Sequence, residues 1–369
     1  MKLSIVTKSF VVVLLLIVLC LAVLEGAIRV YSAVFFPRMM LLDKTLGWKH
    51  AANVAKQFVN EFGEKTLTIQ NEYGHRGKTY PFTKTPGKYR ILVLGDSFTE
   101  AVQVGEDDLF TSQLEAAHPR FEVLNAGVGG YGTVQEYLYL DREGLRFNPD
   151  LVLVMVFEND LSDNCLSHYP GFGPRPYGVL DQGGVTIVEQ PDSEEFLKYT
   201  LPMPFAFFLS QNSYLFYFLN DNVYHNLYAD HMRQLHKADL LRTENCGKYD
   251  VFYATITKIR QLLRWQAIDL GIVLIPSRDN VMKGYSEALN PIEEYCQRQQ
   301  IACWSLLNRF KKEQEASSQL YFPIDIHWTK AGHRVAADEI GQLVSTFERD
   351  SALTTETSRT ASVSIIAGG

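Results

Sequence analysis

The chain predicts an α/β protein built on a parallel sheet, and three observations carry that prediction. From residue 90 onward, apolar runs of strand length alternate with longer segments of helical character. The apolar runs are continuous, as in Leu151-Val152-Leu153-Val154-Met155-Val156-Phe157, which suits strands covered on both faces. A polar Gly-Asp-Ser turn follows the run at 90–94, on the rim where open α/β sheets keep their sites.

The elements follow in order. Lys2 and Lys8 precede an unbroken apolar run over residues 10–24, the pattern of a signal peptide or signal anchor. The run is shorter than the ~20 residues a span needs. Glu25 interrupts it, and residues 27–36 continue as an interfacial segment with Arg29, Tyr31 and the nearby Arg38. No small-x-small cleavage site is evident, and Cys20 follows Leu19, which does not fit a lipoprotein box. Residues 1–38 are read as an uncleaved anchor that exports the rest to the periplasmic or extracellular side, with a cleaved signal as the alternative. Residues 39–89 are polar and punctuated by Gly and Pro, an extension packed on the main domain.

The main domain is expected over 90–349. Strands are expected at 90–94, 121–124, 151–157, 271–275 and 301–306, with helices at 108–117, 134–145, 249–270, 291–300 and 330–349. The alternation breaks over 161–248. That insertion holds a Gly/Pro-rich loop, a small hairpin near 179–188 and an aromatic stretch over 205–228. Gln211, Asn212, Asn220 and Asp221 make that stretch too polar for a second span. The insertion reads as a lid or substrate wall, or as a helical packing extension. Residues 350–369 are Ser/Thr-rich and are expected to be a disordered tail.

Composition narrows the function classes. The chain of 369 residues is 46% hydrophobic and 21% charged, ordinary globular values. Its formal net charge of −7, with no basic stripe, argues against nucleic acid as a partner. Outside the anchor lie Cys165, Cys246, Cys296 and Cys303. An even set in an oxidising compartment suggests disulfides, Cys165–Cys246 and Cys296–Cys303 being the preferred pairing because the first ties both ends of the insertion. Four unpaired buried thiols are the alternative. No Cys-x-x-Cys is present, so neither a zinc nor a redox site is expected.

The chemistry-bearing residues lie at the ends of the expected strands. Ser97 follows the first, and Asp325-Ile326-His327 precedes the last helix: a nucleophile, an orienting carboxylate and a base. Acyl transfer also needs donors aimed at the oxyanion. The Ser97 N–H, a backbone N–H of the turn Asn125-Ala126-Gly127-Val128-Gly129-Gly130, and a side-chain amide in Phe157-Glu158-Asn159-Asp160 are the candidates. The turn also satisfies G-x-G-x-x-G, but it follows the second strand and lacks the acidic residue a dinucleotide site needs. A Gly-x-Ser-x-Gly elbow is absent, which disfavours an ordinary α/β-hydrolase. Asp96, Glu100, Asp160 and His333 read as structural.

Ser97 in Gly-Asp-Ser, Gly130 in the glycine turn, Asn159 in x-x-Asn-Asp and His327 in an Asp/His box resemble the four ordered blocks of the SGNH/GDSL hydrolases. The resemblance covers residues 90–160 and 250–345. It implies a three-layer α/β/α flavodoxin-like fold and ester hydrolysis or acyl transfer. It also implies Ser97 as nucleophile, His327 as base, Asp325 as its orienting carboxylate, and Gly130 and Asn159 as oxyanion donors. Two positions depart from the family pattern. The Asp stands two residues before the His rather than three, with a backbone carbonyl as the alternative orienting group. Phe157 occupies a usual Gly position. The expected activity is that of a membrane-anchored serine esterase or O-acyltransferase needing no metal or organic cofactor, acting on acylated cell-envelope or secreted polysaccharide. A lipid ester is the rival substrate, and a non-catalytic polysaccharide-binding or assembly protein is the rival class.

Overall fold

A computed structural model describes residues 4–35, 37–169, 173–182, 184–189, 208–209, 212–219, 246–316 and 319–366, with side chains described up to residue 348 except at 34 and 217. The first element is one helix, α1 (Ile5–Phe35). Its Ile5–Ala33 stretch is long and apolar enough to cross a membrane, and none of its most apolar window is buried. Glu25 does not break the helix, contrary to the sequence reading. Its carboxylate meets Arg29 one turn on, at 2.7 Å, and accepts from Tyr214 N and Leu215 N, both at 2.9 Å.

The extension folds into two hairpins, β1 (Met40–Asp43) with β2 (Gly47–His50), and β3 (Val54–Val59) with β4 (Lys65–Gln70). The central strands are β5 (Tyr89–Leu94), β6 (Phe121–Asn125) and β7 (Leu151–Val156). After β5 come α2 (Ser97–Glu100) and α3 (Phe110–Ala117); after β6, α4 (Thr133–Arg142); after β7, α5 (Asn159–Asp163). The insertion begins with two short strands, β8 (His168–Tyr169) and β9 (Gly173–Pro174), then the expected hairpin of β10 (Tyr177–Asp181) and β11 (Gly184–Val188). Helix α6 (Tyr214–Leu219) packs beside α1. The remainder of the aromatic stretch lies outside the described residues. The chain returns through α7 (Lys248–Arg264), β12 (Asp269–Leu274), α8 (Arg278–Lys283), α9 (Asn290–Gln299), β13 (Ala302–Ser305), α10 (Leu307–Glu315) and α11 (Lys330–Ile366).

The sheet has five strands in the order β13-β12-β7-β5-β6, every pair parallel. In chain order from the β6 edge that is 2-1-3-4-5, the flavodoxin-like arrangement. Period-two alternation sends the two sides of each strand into separate cores. Val152, Val154 and Val156 join Leu138, Ile256 and Ile292 on one face. Leu151, Leu153 and Met155 join Leu114, Phe310 and Ile340 on the other. All six β7 residues are buried, each side chain contributing about 1.5–3 kcal/mol by leaving water. Helix α7 buries Val251, Phe252, Thr255, Ile256, Ile259 and Leu263, one face at helical spacing. The fold is therefore three-layer α/β/α.

Cys165 and Cys246 form a disulfide with Cα atoms 6.2 Å apart, joining the two ends of the insertion. The other preferred pairing is corrected. Cys296 and Cys303 are thiols, linked by a side-chain hydrogen bond that, with burial, pushes the Cys303 thiol up. The tail also differs: α11 runs to Ile366 rather than ending at Arg349. No Gly or Pro occurs over 350–366 to stop it.

Candidate active site

Ser97 opens α2 directly after β5, Gly130 sits in the turn after β6, and Asn159 opens α5 after β7. All three lie at carboxyl ends of parallel strands, around the point where strand order reverses. Asp96 caps α2, its carboxylate accepting from Phe98 N at 2.9 Å. That cap leaves the Ser97 N–H without a partner among the described residues.

The structure brings Ser97, His327 and Asp325 together. Ser97 Oγ lies 2.7 Å from His327 Nε2. His327 Nδ1 bonds Asp325 Oδ1, and the same oxygen accepts His327 N at 2.9 Å. The shorter Asp-x-His spacing is accommodated because the carboxylate folds back on its own loop. The network assigns the ring proton to Nδ1, so Nε2 accepts from the serine hydroxyl. Burial pushes the Asp325 carboxyl up, but the His327 bonds and charge, helped by Gln103, outweigh it and hold the group at about 2. Asp325 is thus ionised throughout the neutral range.

Gln103 was not anticipated. Its amide nitrogen lies 3.2 Å from Asp325 Oδ2 and 2.9 Å from His327 Nδ1. With the ring proton on Nδ1, only the carboxylate can accept from it. Nothing in the sequence marks this glutamine, which reaches the pair from the loop after α2.

The glycine turn is braced from several sides. Gly129 N donates to Glu100 Oε2 at 2.8 Å, and Gly129 O accepts from the Trp48 indole N–H at 3.1 Å. The other Glu100 oxygen meets His50 Nε2 at 2.9 Å. Burial pushes the Glu100 carboxyl up, but His50, the Gly129 N–H and Arg76 more than offset this and hold it low. Gly130 has φ +76°, and an added Cβ would stand 3.1 Å from Tyr169 Cζ, so backbone and space both demand glycine. The Gly130 N–H has no partner among the described residues.

Asn159 donates one amide N–H to Asp163 Oδ2 at 2.9 Å, and its side chain also hydrogen-bonds the Asp96 carboxyl, so the amide is held from two sides at the rim of the site. Phe157 is buried and packs against Phe98 with the rings tilted, 4.5 Å between centroids. The departure from glycine there therefore adds packing beneath the site. Asp160 accepts Phe157 N at 2.8 Å, a loop-holding role. Burial pushes the Asp96 carboxyl up to about 6 and raises Glu136 and Asp160 well above the usual carboxylate range.

The N-terminus of α4 is closed to a pyrophosphate. Asn164 Oδ1 already accepts Val134 N at 2.9 Å, and a Cβ on Gly132 would meet that oxygen at 2.9 Å. Among the described residues no group of three or more His, Cys, Asp or Glu side chains is arranged to hold a metal ion.

A family profile described as GDSL-like lipase/acylhydrolase matches residues 91–189. A second, described as SGNH hydrolase-like domain, acetyltransferase AlgX, matches residues 247–365. Among solved structures, the chain is similar to a two-domain esterase (CEX) active on acetylated mannans, at 12% identity and a TM-score of 0.38, over 71% of this chain and 50% of that one. It thus spans about half the length of that esterase. An acetyl xylan esterase, AlAXEase, is similar at 15% identity and a TM-score of 0.39, over 69% of this chain and 99% of that one. LAE5, an alpha/beta hydrolase enzyme from the metagenome of Lake Arreo, Spain, is similar at 12% identity and a TM-score of 0.41, over 72% and 97%. No curated protein matches the chain in sequence. Both profile matches, over residues 91–189 and 247–365, are to SGNH/GDSL hydrolase domains.

Proposed function

We propose that this chain is a membrane-tethered serine esterase or O-acyltransferase that works through an acyl-enzyme on Ser97. The observation that carries the reading is the 2.7 Å contact between Ser97 Oγ and a His327 ring whose far nitrogen is bonded to an ionised Asp325. His327 Nε2 takes the hydroxyl proton as Ser97 Oγ attacks the ester carbonyl. The oxyanion is held by the Ser97 and Gly130 N–H groups, with the Asn159 amide turning from its Asp96 bond to donate as the third. Collapse expels the alcohol, which takes the proton back from His327. Water or a sugar hydroxyl then attacks the acyl-serine by the reverse route, returning Ser97 and releasing an acid or a new ester.

The substrate class is acylated polysaccharide of the cell envelope or of secreted material. The match over 247–365 to a profile described as an acetyltransferase supports it. So does export: α1 is long and apolar enough to span a membrane, and a Cys165–Cys246 disulfide suits an oxidising compartment. A lipid ester is the second reading, favoured by the exposed side chains of Phe208, Phe218 and Leu219 near α1. The test uses the full chain in detergent micelles with a small activated acetyl ester, with and without an acetylatable glycan. Turnover abolished by Ser97→Ala is expected. Acyl transfer to the glycan exceeding hydrolysis selects transferase. A preference rising with acyl-chain length selects the lipid reading, and a folded but inactive wild type points to a binding protein.

A further inference from the structure

Ser97, the glycine turn and the base loop come from distant stretches of the domain, yet residues 48–76 of the extension grip all three. Arg76 is fully buried, and its guanidinium bonds the carbonyls of Glu100 (2.5 Å), Ala101 and Val104 (2.5 Å), closing the carboxyl end of the helix that carries Ser97. The Trp48 indole N–H holds Gly129 O at 3.1 Å. That carbonyl belongs to the same planar peptide as the Gly130 N–H, so fixing one fixes the direction of the other. Tyr131 locks the arrangement by donating its hydroxyl to Trp48 O at 2.6 Å. On the opposite side, one Glu61 oxygen accepts Ile324 N at 3.0 Å and Asp325 N at 2.9 Å, while the other lies 2.9 Å from Ile324 N. Asn60 Nδ2 donates to Gln103 O at 3.1 Å, steadying the residue whose amide reaches Asp325.

We propose that the extension is part of the site, with Trp48 and Glu61 as positioning residues: Trp48 aims the Gly130 N–H, and Glu61 holds the loop that presents Asp325 and His327. This rests on the serine reading above and adds which residues outside the four family blocks make it work. Glu61 is exposed. Its bonds are therefore worth little to global stability but fix the loop on which the Asp325–His327 geometry depends. Misplacement by about 1 Å costs on the order of 10²-fold in rate.

The test compares Glu61→Ala, Glu61→Gln and Trp48→Phe in the full chain in detergent micelles, on a small activated acetyl ester. Glu61→Ala is expected to lower kcat by about 10- to 10²-fold with KM and Tm unchanged. Glu61→Gln recovers most of the loss, because one amide oxygen can accept both N–H groups. Trp48→Phe, which removes the indole N–H, lowers kcat with KM unchanged. Amide hydrogen exchange over residues 320–328 gives a readout independent of turnover: faster in Glu61→Ala, restored in Glu61→Gln. Unchanged kcat and exchange in Glu61→Ala, or a loss that Glu61→Gln shares fully, overturns the role of Glu61. A Trp48→Phe variant with lowered Tm and unaltered kcat overturns that of Trp48. Activity surviving in Ser97→Ala brings down the serine reading instead, and the exchange measurement still decides what Glu61 holds.

Discussion

The glycine turn and the base loop differ in how far packing holds them. Around the turn, Ala126, Val128 and Tyr131 are buried, and Trp48, Glu100 and Tyr169 close on the backbone from three sides. In the base loop, Ile324 and Ile326 are 87% and 57% exposed, and the backbone is held by carboxylates that accept its N–H groups. Packing together with buried hydrogen bonds fixes the first region, and exposed hydrogen bonds to carboxylates hold the second. Oxyanion donors act by not reorganising when charge develops, which suits a packed turn. Substitutions should therefore fail by steric conflict as well as by lost polar contacts in the turn, and by lost polar contacts in the loop.

The largest effect is expected in the loop. Asp325→Asn removes the carboxylate that sets the His327 tautomer, and kcat should fall by about 10³–10⁴-fold with KM little changed. A loss below tenfold would mean that another acceptor orients the ring. On the packed side, Gly130→Ala forces a side chain into a left-handed backbone against Tyr169. It should cost about 10²–10³-fold in kcat, comparable to losing one oxyanion donor, and should also lower Tm. An unaltered Tm with lost activity would show that the turn yields more readily than its packing suggests.

Acidity separates the two regions with the smallest effect. Asp325 has its carboxyl held at about 2, below the ordinary 3.8. Its contribution to stability is present above the ordinary value and is lost as pH falls toward 2. Asp96, on the buried side, has its carboxyl raised from 3.8 to about 6. The folded state holds that proton more tightly, so stability declines as pH rises from the ordinary value through 6. Asp96→Asn keeps an acceptor for Phe98 N and removes the titration. Its Tm relative to the parent should rise by about 2–4 °C between pH 4.5 and pH 7, as followed by scanning calorimetry. A constant difference across that range would contradict the burial argument.

Much of the domain was legible in the sequence, for a physical reason. The strands at 90–94, 121–124, 151–157, 271–275 and 301–306 differ from β5, β6, β7, β12 and β13 only at their ends, because a doubly covered parallel strand must be continuously apolar. Ser97, His327 and Asp325 stood out because each sits at an element end in a short polar motif. Trp48, Glu61, Arg76 and Gln103 did not, since each acts through one tertiary hydrogen bond or a few, which leave no period and no local motif. Helices α8 and α10 were missed for a related reason. The first is a single capped turn between Ser277 and Gly284, and the second buries only Phe310. The Cys165–Cys246 bond was expected from the ends of the insertion. Spacing alone did not reveal that Cys296 and Cys303 remain thiols.

The central claim is that His327 makes the Ser97 hydroxyl nucleophilic. It is tested most directly by treating the full chain with an activated phosphonate ester and mapping the adduct by peptide mass spectrometry. The account predicts a single covalent adduct on Ser97, formed rapidly in the parent and at least about 10³-fold more slowly in His327→Ala. An adduct on another residue, or labelling of Ser97 at an equal rate without the imidazole, would contradict it.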